Sequence, residues 1–238
     1  KIAFPKVNWS VFSKKFIKQL GLEQSPITTQ VEPGDSLAGL LHSFVRINNV
    51  FSDFSLDMWL YISRNIFVQK NVSGEVGSST MPHKINPIFF ENAEGNLDVA
   101  NNNFSFLASR ITKSRLQRDL SSSTVFRNLG VGFAHSLLSY KNLIKGVLRV
   151  SPNEKQLKKE LDENWSILAE AIQTILRKSG DINAYDKIKK LTRGKPLTKK
   201  LYLQIVNDLK ASKEDKEMLL QLTPHTYLGE IDKILENL

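Results

Sequence analysis

A segment rich in hydroxyl, amine and amide side chains lies in the middle of this sequence. Between Gly74 and Pro87 it carries adjacent serines, Ser78 and Ser79, followed by a threonine, Lys84 and an asparagine. Because glycine and proline interrupt both helical and strand periodicity, this segment is predicted to be a loop. Loops of this length inside compact domains are typically binding loops or active-site lids, although the composition alone fits a solvated surface loop equally well.

A second group of residues suited to ligand binding is basic. Residues 110–127 contain four arginines and one lysine, with Asp119 as their only acidic residue. The net charge is +9, and residues 1–150 carry most of the excess, with 17 Lys and Arg against 10 Asp and Glu. Such a cluster suits a phosphorylated or carboxylated small molecule or a nucleic acid, and its nonfunctional alternative is a solvated turn between helices.

The composition excludes several kinds of site. Because the chain has no cysteine, disulfides and thiolate metal sites are excluded and a cytoplasmic location is predicted. No apolar run approaches membrane-spanning length, so no membrane association is expected. The glycine patterns of dinucleotide- and phosphate-binding loops are missing, so no cofactor is predicted. No metal is predicted either, because metal-ligand spacing is lacking among the four histidines, His42, His83, His135 and His225.

Apolar residues at helical spacing precede the loop and predict two helices. Asn8 is predicted to cap a short helix that Gly21 ends. Asp35 is predicted to cap a long amphipathic helix reaching Ile66, because apolar residues recur there at spacings of three and four. The extended segment between these helices includes Gln30, which on its own fits an ordinary polar loop residue.

Two further helices are predicted after the loop. Asn86 is expected to cap the first, with Pro87 as its first residue, and the helical pattern continues to Ile111. Residues 121–124 offer capping hydroxyls before residues 125–148, which are apolar on nearly every side and predict a buried helix. Close approach of neighbouring backbones is expected at the glycines of that helix, Gly130, Gly132 and Gly146.

The composition becomes rich in Lys and Glu after Ser151-Pro152, which marks a predicted domain boundary. Residues 1–150 are expected to form a helical bundle that needs further helices from other chains or from missing sequence. Residues 151–238 are expected to form a small helical domain of structural role, so the fold class is all-α. Its predicted helices cover residues 153–163, 165–176, 198–209 and 212–221, with a last one ending near residue 235.

The order of residues in the loop resembles a known signature. Residues 77–86, Gly-Ser-Ser-Thr-Met-Pro-His-Lys-Ile-Asn, match every fixed position of the fumarase/aspartase superfamily pattern Gly-Ser-Ser-x-Met-Pro-x-Lys-x-Asn. At the variable positions, Thr80 and His83 resemble the adenylosuccinate lyase branch. The resemblance covers essentially the whole chain, including residues 191–195, and implies the long-helix bundle of that superfamily followed by a small helical C-terminal domain.

The resemblance implies a lyase that eliminates fumarate from adenylosuccinate, giving AMP, and from the succinyl-carboxamide imidazole ribotide of purine biosynthesis. In the family pattern Ser78 is the general base, activated by surrounding positive potential, and Lys84 stabilises the developing negative charge. Family active sites combine residues from three subunits of a homotetramer. The upstream family regions that carry the general-acid histidine have no counterpart here, so this chain is expected to be a fragment that is inactive alone.

The resemblance also implies a set of substrate-binding residues. Gln30 lies in a segment similar to the one whose glutamine binds substrate, and Asn92 matches an asparagine just after the signature. Arg118 and residues 123–127 resemble the phosphate- and nucleotide-binding segment, where arginine makes paired contacts to phosphate and hydroxyls add hydrogen bonds. The complete set is Gln30, Ser79, Asn86, Asn92, Arg118, Ser123, Thr124 and Arg127.

Two alternatives remain open at the level of sequence. An enzyme similar to argininosuccinate lyase is the nearest one, but its substrate has no phosphate, so the arginines and hydroxyls of residues 118–127 argue against it. A noncatalytic helical module that binds nucleic acid through residues 110–127 is the other, and it predicts salt-sensitive binding. The main prediction takes a small anionic nucleotide as partner, without nucleic acid or membrane.

Overall fold

The computed structural model describes residues 1–70, 86–193 and 197–237, without the side chains of residues 191 and 192. The predicted site residues Ser78, Ser79 and Lys84 therefore lie outside the described residues. Helices dominate, which confirms the predicted all-α class. In chain order the elements are α1 (Trp9–Gln19), α2 (Asp35–Ser63), β1 (Phe67–Gln69), α3 (Ile88–Ile111), α4 (Ser121–Phe126), α5 (Leu129–Val147), β2 (Val150–Pro152), α6 (Glu154–Glu163), a 3-10 helix (Trp165–Leu168), α7 (Ala169–Lys178), α8 (Ala184–Thr192), α9 (Lys199–Asp208), α10 (Lys213–Gln221) and α11 (Ile231–Leu235).

The chain divides into two compact units. The first unit comprises residues 1–62 and 69–150, and the second comprises residues 63–68 and 151–238. Strands β1 and β2 pair in a two-stranded sheet, and the division falls within them. No helix of the described residues combines the length and apolar composition needed to cross a lipid bilayer.

The core of the first unit lies between α2, α3 and α5. Leu41, Phe104 and Leu107 are completely buried in one cluster, because their helical spacing turns one apolar stripe of each helix inward. At the other end of α2, the Trp59 Nε1 donates to Glu91 Oε1 at 3.0 Å. The early residues of α2 thus meet the late residues of α3, so these two helices run antiparallel.

Helices α3 and α5 also run antiparallel and approach closely at two glycines. A Cβ atom at Gly132 would lie 2.5 Å from Phe104 Cε1, and one at Gly146 would lie 2.8 Å from Phe90 Cζ. At both glycines the closest neighbour is a phenylalanine ring of α3, so the expected approach of neighbouring backbones stays a prediction. At Gly130 no atom of the described residues lies within 4 Å of the added Cβ.

Helix α5 differs from the predicted buried helix in its start and in its surface. It begins at Leu129, because residues 121–126 form the separate helix α4. Its buried face is mostly small and polar, with Ser136, Ser139 and Asn142 beside the buried Leu143, whereas Leu137 and Leu138 are exposed. Within the described residues α5 is thus buried on one face, against α3 and part of α2. Burial of its other faces was expected to need helices from other chains or from missing sequence, and it stays a prediction.

Both ends of α1 agree with the sequence, whereas three ends of α2 and α3 differ from it. Asn8 Oδ1 accepts from Val11 N at 3.2 Å, which confirms the cap of α1. Helix α2 begins at Asp35 itself and ends at Ser63, earlier than predicted, because Asn65 adopts a left-handed φ of 59°. The predicted cap of α3 was also wrong: Pro87 is the N-cap residue, its ψ of 56° is not helical, and the helix begins at Ile88.

The second unit has its own apolar core around Tyr202. This ring is completely buried, its hydroxyl donates to Leu219 O at 2.7 Å, and burial raises the pKa of Tyr202 to about 12. The predicted helix over residues 165–176 is a 3-10 turn followed by α7, and α8 was not predicted.

Candidate functional site

The extended segment around Gln30 and the stretch after α3 come together in the first unit. They line one cleft of about 370 Å³, to which the first contributes Thr29 and Val31 and the second contributes Arg118 and Ser123. Gln30 lies between two lining residues of the cleft. The structure therefore brings together two segments that are far apart in the chain and that the family resemblance predicted to bind substrate.

Arg118 has the exposure and the free charge that an anion-binding residue needs. Its side chain is exposed, and it makes no ion pair with any other described residue. The two residues before it, Leu116 and Gln117, both adopt left-handed conformations, with φ values of 46° and 74°. Such conformations cost roughly 1–3 kcal/mol each in residues other than glycine and concentrate at functional sites.

Asp119 neutralises part of the basic cluster and organises its backbone. Its carboxylate accepts from the main-chain N–H groups of Ser121 at 3.0 Å and Arg115 at 3.2 Å, and from the Ser121 hydroxyl. Arg110 Nη2 lies 3.9 Å from the same carboxylate. The hydrogen bond from the Ser121 hydroxyl is the largest cause that lowers the pKa of Asp119 below its usual value. The two main-chain hydrogen bonds and the positive charge of Arg110 lower this pKa further. Sequence reasoning missed this role, although Asp119 is the only acidic residue of the cluster.

The predicted binding residues Ser123, Thr124 and Arg127, in and after α4, differ in whether they line the cleft. Ser123 lines the cleft and its Oγ donates to Leu120 O at 2.8 Å, which leaves the oxygen lone pairs as acceptors. Thr124 and Arg127 are exposed but do not contribute to the described lining of the cleft. Their predicted contact with substrate therefore stays a prediction.

Two further predicted residues that the structure describes, Asn86 and Asn92, lie at the opposite end of α3. Asn86 precedes this helix, and Asn92 is in its second turn, where its Oδ1 accepts from Asn142 and from Asn96 Nδ2 at 3.2 Å. Asn92 and Ile111 are separated by roughly 28 Å, given a rise of 1.5 Å per residue. A single chain thus holds those predicted substrate-binding residues that the structure describes in two groups, at the two ends of one helix.

Among the residues that the structure describes, no group of three or more His, Asp or Glu side chains is arranged to hold a metal ion. The titratable groups that line the cleft are Arg118 and the carboxylates of Glu32 and Asp119. Both carboxylates accept main-chain hydrogen bonds, Glu32 from Gly34 N at 2.6 Å and Asp119 from Ser121 N at 3.0 Å. Arg118 is therefore the group of the cleft that offers positive charge to an anionic ligand.

The fold is shared with solved enzymes. The chain matches the 3-carboxy-cis,cis-muconate lactonizing enzyme from Pseudomonas putida with a TM-score of 0.63 at 21% identity, over 92% of this chain and 50% of that one. It also matches the class II fumarase from Schistosoma mansoni with a TM-score of 0.53 at 20% identity, over 84% of this chain and 38% of that one. This chain has the helical fold of the fumarase/aspartase superfamily.

Sequence comparisons narrow the assignment within that superfamily. A lyase family model matches residues 6–100, and a model described as adenylosuccinate lyase C-terminal matches residues 114–228. The adenylosuccinate lyase of Legionella pneumophila (strain Corby) is 48% identical over 95% of this chain and 50% of its own length. The Escherichia coli (strain K12) adenylosuccinate lyase is 45% identical over 99% of this chain and 52% of its own length. Over nearly its whole length the chain is similar to adenylosuccinate lyases, as the loop signature predicted, and it spans about half the length of the curated relatives it matches.

Proposed function

We propose that this chain contributes to an enzyme that eliminates fumarate from adenylosuccinate, giving AMP, and from the related succinyl-carboxamide imidazole ribotide. The observation that carries the proposal is the cleft shared by the Gln30 segment, Arg118 and Ser123. An exposed arginine without an ion-pair partner in the described residues, next to a hydroxyl, suits a phosphate group. The similarity of the chain to adenylosuccinate lyases and this anion-binding cleft favour the same kind of substrate.

The proposed reaction begins with removal of a proton from the carbon next to a substrate carboxylate. Ser78 takes this proton, and Lys84 stabilises the negative charge that develops on the carboxylate. The electron pair left on carbon then forms the double bond of fumarate as the carbon–nitrogen bond breaks. The departing nitrogen receives a proton from a general acid. Ser78 and Lys84 lie outside the described residues, so their roles rest on the signature.

We further propose that the enzyme is a cytoplasmic homotetramer whose active sites combine residues from different subunits. Support comes from the roughly 28 Å along α3 between Asn92 and the cleft end of the helix, a gap that one chain cannot close by side-chain motion. Antiparallel association of two copies would bring the Asn92 end of one α3 next to the Ile111 end of the other.

Exposed apolar residues on the bundle helices support the same assembly. Leu40 and Trp59 on α2 are 48% and 44% exposed, and Leu138 and Ile144 on α5 are 46% and 61% exposed. Large apolar side chains in such numbers on bundle helices are typical of surfaces covered by a partner. Neither a nucleic acid nor a membrane is part of the proposal.

The decisive experiment is an assay of fumarate release by the complete gene product, with adenylosuccinate and argininosuccinate as parallel substrates. Release from adenylosuccinate with competitive inhibition by AMP is the expected result. Release from argininosuccinate alone, or indifference to AMP, would contradict the proposal. Salt-sensitive binding of DNA or RNA by a protein that releases no fumarate would instead favour the nucleic-acid module.

A further inference from the structure

A chain of side-chain amides and one histidine connects α3 with α5 beside Asn92. Asn142 Nδ2 donates to Asn92 Oδ1, and Asn96 Nδ2 lies 3.2 Å from the same oxygen. His135 Nδ1 lies 2.6 Å from Asn96 Oδ1. These residues share one face of each helix, because Asn92 and Asn96 are four apart on α3 and the α5 residues are seven apart.

The orientation of these amides follows from one main-chain group. Asn96 Nδ2 also lies 2.8 Å from the carbonyl oxygen of Asn92, which can only accept a hydrogen bond. The nitrogen of Asn96 therefore points toward Asn92, and its oxygen points toward His135. His135 must then donate from Nδ1.

The same reasoning orients Asn92. One side-chain amide atom of Asn92 faces the Nδ2 groups of both Asn96 and Asn142. This atom must be the oxygen, because a nitrogen at that position would place N–H donors against N–H donors. Both lone pairs of Asn92 Oδ1 are then occupied. The Nδ2 group consequently points away from α5, and it makes no hydrogen bond with another described residue.

We propose that Asn142 and Asn96, supported by His135, are positioning residues that hold Asn92 with its two N–H groups directed at an anionic oxygen of the substrate. The proposal rests on the proposed function, in which Asn92 binds substrate. A side-chain amide that is not held can rotate and present either its NH2 group or its oxygen. In the second orientation the amide oxygen would face the substrate carboxylate and repel it. The 8% exposure of Asn142 keeps water from replacing its bond.

The test compares substitutions at Asn142 in the complete gene product. Asn142→Asp replaces the donor with an acceptor and favours the reversed orientation of Asn92. It is expected to raise KM for adenylosuccinate on the order of 10-fold, with a much smaller change in kcat, because ground-state and transition-state binding are lost alike. Asn142→Leu keeps the side-chain volume and adds no charge, so it replaces the aspartate variant if that variant fails to fold. The expected rise in KM is smaller for Asn142→Leu than for Asn142→Asp.

A double-mutant cycle separates positioning from a general effect on packing. If Asn142 acts through Asn92, Asn142→Leu changes KM by less than about 2-fold when Asn92 is already alanine. Asn101→Leu is the matched control, because Asn101 Nδ2 donates to Asn49 Oδ1 at 2.8 Å in another contact of α3; its KM should stay near the wild-type value. Equal effects of Asn142→Leu in both backgrounds would overturn the proposal.

The orientation can also be measured without turnover. A neutron structure, or an X-ray structure at better than about 1.2 Å, distinguishes the nitrogen of Asn92 from its oxygen. The nitrogen is expected to point away from α5 in the wild-type protein and toward α5 in Asn142→Asp. An outward oxygen in the wild type would overturn the positioning role even in an active enzyme. Absence of fumarate release would overturn the proposed function. The measured orientation of the Asn92 amide would still decide whether Asn142 and Asn96 position it.

Discussion

Gly34 packs directly on the last residue of α3, so that a Cβ atom at Gly34 would lie 2.8 Å from the carbonyl oxygen of Ile111. Its φ of 81° is left-handed, which side chains other than glycine rarely adopt. This contact holds the Gln30 segment against the stretch that carries Arg118. A glycine thus determines whether the two sides of the cleft meet.

Gly34→Ala is expected to separate the two sides of the cleft. The left-handed conformation alone costs alanine about 1–2 kcal/mol, and the contact with Ile111 adds to that cost. KM for adenylosuccinate should rise and the thermal midpoint should fall. Gly39→Ala is the control, because no atom lies within 4 Å of its added Cβ and alanine favours the helix. Equal behaviour of the two variants would contradict the role of Gly34.

Arg118→Ala is expected to weaken nucleotide binding. Loss of a charge-assisted hydrogen bond costs about 1.5–3 kcal/mol, which corresponds to a rise in KM and in the AMP inhibition constant of roughly 10- to 100-fold. Arg118→Lys should restore only part of the affinity, because lysine cannot make paired contacts to phosphate. Steady-state kinetics with AMP as competitor measure both constants. Arg177→Ala, in the last turn of α7, is the control for loss of one positive charge. An unchanged AMP inhibition constant in Arg118→Ala would show that Arg118 does not bind the nucleotide.

Ser78→Ala is expected to abolish the proton abstraction without unfolding the protein. General-base catalysis contributes on the order of 10²- to 10⁴-fold, so kcat should fall by at least that range. Ser73→Ala removes a hydroxyl just before the signature and should leave kcat nearly unchanged. Fumarate release measures the rate and circular dichroism measures the fold. Turnover at the wild-type rate in Ser78→Ala would show that another group is the base.

Asp119→Asn is expected to make stability less dependent on pH in the acid range. The pKa of Asp119 is lower in the folded protein than its usual value, so the ionised carboxylate stabilises the fold above about pH 4. That stabilisation is lost as the pH falls through the lowered pKa. Urea unfolding should show wild type more stable than the variant at pH 7, with the difference shrinking toward pH 3. A difference that does not change with pH would mean that the charge of Asp119 is not the cause.

Asn48→Ala is expected to destabilise the bundle core. Asn48 is completely buried, donates from Nδ2 to Ser136 Oγ at 3.0 Å and accepts from Tyr140 Oη at 2.5 Å. Its removal leaves both hydroxyls without this partner, at a cost of about 1–3 kcal/mol for each unsatisfied group. Asn49→Ala, at the neighbouring exposed position, should cost less than about 1 kcal/mol. Equal unfolding free energies for the two variants would contradict the importance of the buried network.

Local features of this protein could be predicted from the sequence because their causes act within a few residues. The cap of α1 depends on Asn8 and an amide three residues later, and its end depends on Gly21, which has a φ of 72°. The apolar repeats of α2 and α3 reveal helices for the same reason. The signature of residues 77–86 indicates the family without any knowledge of the fold, because it is a pattern of residue types along one segment.

Contacts between distant residues were decided only by the tertiary structure. No local pattern shows that Gly34 meets Ile111, that Asn142 holds Asn92, or that Leu137 and Leu138 of α5 face outward. The same holds for the separation of the predicted site into two groups at the ends of α3. Such contacts depend on which faces of helices far apart in the chain pack together, and helical periodicity determines that a face is apolar but not which partner covers it.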